Sequence, residues 1–159
     1  MRLTPLLALT SLLLGCGVVV ADERSRIQEE IKPFISSFYF EWEKVTGVPH
    51  PASDIKVIFV DEVSGKGIVK ENIATCTYSA MTLRIERKWW NEHSVLQKEA
   101  LVFHELGHCI LLRRHITLTF QCKEQPSGCP VSIMYPSVLK SVTYSKYSTY
   151  YLQELFNVR

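Results

Sequence analysis

The chain has almost no excess of charge of either sign: 18 Lys and Arg stand against 16 Asp and Glu, a formal +2 over 159 residues. Without a basic stripe there is nothing to match a phosphate backbone, so nucleic acid is excluded as the expected partner. Internal repeats, low-complexity tracts and Gly/Ser-rich linkers are also missing, and the length suits one core rather than two. The longest N-terminal apolar run, Leu3 to Leu14, is too short to span a bilayer with its flanks. What the sequence does have is 47% apolar and 11% aromatic residues, enough to bury a core and offset the entropy of ordering the chain.

Arg2 followed by that run has the form of an export signal. It ends in Leu13-Leu14-Gly15-Cys16, which resembles the bacterial lipobox. The resemblance implies a signal peptide over residues 1–15, a lipidated Cys16 anchoring the protein to a membrane, and a tether over 16–26 ahead of a single domain, 27–159. Val18, in place of an acidic residue, implies outer-membrane sorting. The alternative is an ordinary secretory signal cleaved near Ala21, leaving a secreted or periplasmic protein; either reading exports the domain. In an oxidising compartment Cys76, Cys109, Cys122 and Cys129 read as two disulfides before a thiolate metal site. Cys122 and Cys129 flank a Gln125-Pro126-Ser127-Gly128 turn that suits a local bridge, although three pairings are open.

Apolar residues at helical spacing from Ile27 to Val45 predict an amphipathic helix. Pro33 falls inside the pattern and predicts a start or a kink there, while Gly47 and Pro49 stop it. Asp54 to Asp61 predicts a strand buried on both faces, followed by a turn at Ser64 to Gly67. Ile73 to Tyr78 is a weak second strand, and Met81 to Arg87, with Leu83 and Ile85 on one face, is a half-exposed third. Ser94 and Gln97 form a capping-box signature for a helix from Val95 to about Leu112. A last helix is expected over Tyr144 to Phe156, giving an α+β fold with a small mixed twisted sheet packed on the N-terminal and central helices.

The chemistry lies in the central helix, as His104-Glu105-Leu106-Gly107-His108. Histidines four apart stand about 40° apart around a helix axis and one turn along it, so both imidazoles can reach one ion. Glu105 projects beside that ion as a general base for a water molecule. A catalytic zinc needs a third protein ligand. On an unbroken helix His115 would lie about 10 Å beyond His108, so the helix must end before His115 can serve. The rival ligands are Glu154 on the last helix and, more weakly, Glu124 in the cysteine loop.

HExxH, a histidine shortly after it and Ser132-Ile133-Met134-Tyr135-Pro136 together resemble the metzincin clan of zinc metallopeptidases, of matrixin or archaemetzincin type, over about Asp54 to Phe156. The resemblance implies a zincin-like fold, a Zn2+ cofactor on His104, His108 and His115, Glu105 as the catalytic base, and Met134 as the apolar floor of a tight Met-turn. It implies a monomeric endopeptidase whose peptide or protein substrate lies along an edge strand, for which Met81 to Arg87 is the corresponding segment. The chain departs from HExxHxxGxxH in having Leu111 at the glycine, Arg114 at the third histidine, and His115 one place later. The competing reading is a non-catalytic envelope lipoprotein that binds zinc or a peptide. Retention of Glu105, which zinc binding alone does not need, counts against it.

Overall fold

A computed structural model describes residues 23–50, 53–63 and 73–157. The expected signal peptide over residues 1–15, Cys16 and the expected turn at Ser64 to Gly67 lie outside the described residues. The fold is α+β. Helix α1 (Glu23–Thr46) leads to β1 (Lys56–Val60), β2 (Ala74–Thr77), a 3-10 turn at Tyr78–Ala80, and β3 (Thr82–Glu86). Helices α2 (Arg87–Glu92) and α3 (Val95–Cys109) follow, then the two-residue strands β4 (Thr119–Phe120) and β5 (Cys129–Pro130), and α4 (Ser141–Phe156).

Glu23 to Arg26 belong to helix α1, which runs through Pro33. Pro33 is exposed, so the Glu29 carbonyl that loses its helical donor faces water, and the helix continues past it. Gly47, at φ +71°, closes the end by donating its N–H to the Glu43 carbonyl.

Strand order is β1-β3-β2, with β1 parallel and β2 antiparallel to β3. This corrects two expectations. β1 is an outer strand with only Val57 buried, because its far side has no strand partner among the described residues. Met81 to Arg87 is not the edge: its strand β3 is central, with Leu83 and Ile85 fully buried, and β2 borders the central helix instead. Helix α2, unforeseen from the sequence, carries Trp90 into the core, where its indole N–H donates to Glu30 of α1. Phe38 of α1 meets Phe103 of α3 and Phe156 of α4 edge-on, with centroids 5.3 and 5.1 Å away, which ties the three long helices together.

Candidate metal centre

Helix α3 is nucleated as its sequence requires. The Ser94 side chain accepts the Gln97 N–H while Gln97 reaches back to the Ser94 N–H, completing the capping box. The helix ends at Cys109, three residues sooner than expected, and Leu112 takes the left-handed conformation at φ +54°. The sharp turn that the resemblance placed at Leu111 is thus made one residue later, by a leucine with 61% of its surface exposed. The histidine is also one residue later. The extra residue moves turn and histidine together, and His115 comes back to the helix.

The three imidazoles meet. Nε2 of His104 lies 3.1 Å from Nε2 of His108 and 3.2 Å from Nε2 of His115, and the remaining edge of the triangle is 3.1 Å. Three nitrogens about 2.0–2.1 Å from a tetrahedral zinc would stand about 3.3–3.4 Å apart. The backbone settles which face of two of the rings is free. Nδ1 of His104 donates to the Ile133 carbonyl at 2.8 Å and Nδ1 of His108 to the Arg113 carbonyl at 2.7 Å, so in the neutral form of either ring Nε2 is the nitrogen with the lone pair. Lone pairs crowded onto one point repel unless a cation lies between them, and a borderline-soft dication with nitrogen ligands suits this donor set. Burial, with the two neighbouring imidazoles, pushes His104 down to about 3 in spite of its bond to Ile133, and burial followed by His108 lowers His115. Burial thus favours the neutral ring at His104, and it acts in the same direction on His115.

Glu105 is 5% exposed and lines the same cleft. Burial raises its carboxyl to about 8, against the Cys76 backbone N–H of β2 that hydrogen-bonds it; a nearby dication opposes that rise. Cys76 is further tied to α3 by its disulfide to Cys109, and Cys122 pairs with Cys129. The second bridge removes the one other grouping with ligand spacing among the described residues, Cys122, Glu124 and Cys129, because its cysteines have no thiolate to offer.

Met134 is fully buried beneath α3. A Cβ built on Gly107 would stand 2.5 Å from its Sδ, so the glycine between the two helical histidines is what lets the methionine come so close. Neither rival ligand is free to reach the triad. Glu154 is engaged by the Arg113 guanidinium and the Ser132 hydroxyl, and Glu124 by Lys146 and the Tyr147 hydroxyl. The sequence reading missed Ser132 and Arg113. It also missed the position of β2, which the Cys76–Cys109 pairing, one of those left open, would have placed beside α3.

A cleft of about 580 Å³ opens onto the triad. Ile73 to Cys76 form one wall, and Trp89, His93, Gln97, Leu101 and the Pro136 to Val138 segment form the others. Trp89, unlike Trp90, faces this cleft, with its ring stacked on His93 at 4.1 Å. Protein-family models, curated proteins and solved structures were all compared with the chain, and none matches it.

Proposed function

We propose that this protein is a zinc-dependent endopeptidase of metzincin-like type, exported and held at the cell envelope through Cys16. The observation that carries the reading is the Nε2 triangle, 3.1–3.2 Å on each edge, with a buried carboxylate one residue along the same helix and an open cleft in front of it. His104, His108 and His115 would hold the ion. Bound there, zinc supplies a Lewis acid that acidifies water and polarises a carbonyl.

The chain's own groups supply the rest. Glu105, oriented by the Cys76 N–H, removes a proton from the attacking water as its oxygen adds to the peptide carbonyl carbon. The same carboxyl then gives that proton to the amine as the C–N bond breaks. A peptide is bound by the β2 edge, whose outward backbone groups, apart from the Cys76 N–H that holds Glu105, have no strand partner among the described residues. Affinity drawn from backbone hydrogen bonds suits an extended peptide or an unfolded protein segment. The two disulfides support export, since such bonds persist in oxidising compartments. No helix among the described residues is long and apolar enough to cross a membrane, and the anchor in this reading is the acyl chain.

The test is elemental analysis, zinc X-ray absorption and peptide hydrolysis on wild type, His115→Ala and Glu105→Gln. Wild type is expected to hold one zinc with three imidazoles, and His115→Ala two imidazoles at most. Glu105→Gln is expected to keep the metal and lose hydrolysis. Zinc with no hydrolysis of any peptide in the wild type would favour the non-catalytic binding lipoprotein, and no stoichiometric metal would end the zinc readings and leave only the peptide-binding one.

A further inference from the structure

Two of the three imidazoles are fixed by one continuous chain of hydrogen bonds that leaves the metal centre and returns to it. It leaves at His108, whose Nδ1 donates to the Arg113 carbonyl. The Arg113 guanidinium donates to the carbonyls of Glu154 and Leu155 at the end of α4 and to the Glu154 carboxylate. The other carboxylate oxygen of Glu154 accepts the Ser132 hydroxyl, and Ser132 Oγ accepts the Met134 N–H at 3.0 Å. Between Ser132 and Met134 lies Ile133, whose carbonyl fixes His104. The neighbour of the third histidine joins the same turn, Ile116 donating its N–H to the Met134 carbonyl at 3.0 Å.

We infer that Arg113, Glu154 and Ser132 are positioning residues that set the affinity of the centre for zinc, by fixing the distance between the loop carrying His115 and the turn carrying Met134. The inference rests on the zinc reading and deepens it. The groups suit such a task. Arg113 and Glu154 are only 17% and 21% exposed, so water screens their pairing poorly, and the planar guanidinium engages three acceptors in fixed directions. It also donates to two carbonyls in the last turn of α4, the end of a helix where a cation is favoured. Ser132 is fully buried and has both an acceptor and a donor to satisfy it. A shift of α4 would therefore move the Ile133 and Arg113 carbonyls, and with them two of the three lone pairs that face the ion. Groups that orient metal ligands from outside usually change affinity by about 10- to 100-fold when altered.

The experiment is a zinc dissociation constant, read by competition with a chromophoric chelator, for wild type, Glu154→Gln, Ser132→Ala, their double variant and Glu124→Gln. Each metal-free protein is first checked for folding by circular dichroism at the same temperature. Glu154→Gln keeps the side-chain volume and removes the charge facing Arg113; Ser132→Ala breaks the chain one link further on. Each is expected to weaken zinc about 10- to 100-fold. The double variant is expected to be little worse than either, since both break one chain. Glu124→Gln removes the charge facing Lys146 and one of the two acceptors that hold Lys146 and Tyr147 on the same helix α4, outside the chain, and should leave affinity within about twofold of wild type. Unchanged affinity in both Glu154→Gln and Ser132→Ala would overturn the inference. An equal loss in Glu124→Gln would overturn it too, by reducing the effect to docking of α4. A wild type that binds no zinc would refute the metal reading itself and this inference with it.

Discussion

Gly107 is the most sharply testable residue of the centre, because two elementary effects at that position have opposite signs. It lies in the interior of α3, where replacing glycine by alanine ordinarily stabilises by about 1 kcal/mol. Here the added Cβ would stand 2.5 Å from Met134 Sδ, 3.2 Å from its Cε and 3.3 Å from a Leu155 methyl. The closest of these falls short of an ordinary carbon contact by about 1 Å or more. Met134 is fully buried and cannot swing into solvent, so the overlap has to be absorbed by the packing under α3. Overpacking of this kind costs about 1–3 kcal/mol, which leaves Gly107→Ala less stable than wild type by roughly 1 kcal/mol after the propensity gain. The sign should reverse once the methionine is shortened. Met134→Ala alone opens a cavity costing about 2–5 kcal/mol, and in that background Gly107→Ala fills part of it and should stabilise by about 1 kcal/mol. Urea denaturation of the four proteins in chelator, analysed as a double-mutant cycle, reads the difference as a coupling of about 2 kcal/mol. If Gly107→Ala stabilises the protein with Met134 intact, the methionine does not lie against the helix and the floor of the centre has been misassigned.

Leu112, at φ +54°, should invert the usual ranking of small residues: Leu112→Gly should be about 1 kcal/mol more stable than Leu112→Ala by chemical denaturation, and the opposite order would place the turn elsewhere. Saturating zinc at about a hundred times its dissociation constant should raise the unfolding temperature by about 10 °C over chelated protein, whereas equal melting curves would mean that the three imidazoles hold no ion in the native state. Loop closure gives the disulfides unequal weight. The Cys76–Cys109 bridge, spanning 33 residues, should contribute about 4 kcal/mol, and Cys122–Cys129, spanning 7, about 2 kcal/mol, measured as paired alanine variants under oxidising conditions. A larger loss from the shorter loop would contradict that account.

The parts of this molecule that could be read from its sequence are those whose causes lie within a turn or two of chain. Ser94 and Gln97 announce the start of α3, and the four-residue spacing of His104 and His108 fixes their common face, because both depend on helix geometry alone. The alternation of Leu83 and Ile85 gives β3, again locally. Strand order is another matter. It depends on which edge the chain reaches after the connection from β1, and no periodicity encodes that choice. Alternation in Met81 to Arg87 gives a half-exposed strand but not its place, and the edge role came only from the resemblance, whereas β2 holds the edge beside α3 through a disulfide formed across 33 residues.

Glu154 shows the same limit at the centre itself. As a carboxylate on the last helix it has the composition of a metal ligand, and a list of residue types cannot tell an open carboxylate from one already engaged. The distinction comes from Arg113, 41 residues earlier, whose guanidinium occupies that carboxylate while its own carbonyl fixes His108. The mismatch between HExxHxxGxxH and this chain was nevertheless informative once it was taken as a length rather than a substitution. One additional residue between His108 and the third histidine leaves the ring out of phase unless the turn moves by the same amount, and Leu112 in the left-handed region shows that it does. Gly107 carried a comparable signal. A glycine costs a helix interior about 1 kcal/mol, so its presence between two histidines on one face marks a face that another buried group must approach closely. Ser132-Ile133-Met134 was the one downstream segment already assigned such a task. Each anomaly was thus local in sequence while its explanation was tertiary, and the two meet where Met134 lies against Gly107, between His104 and His108.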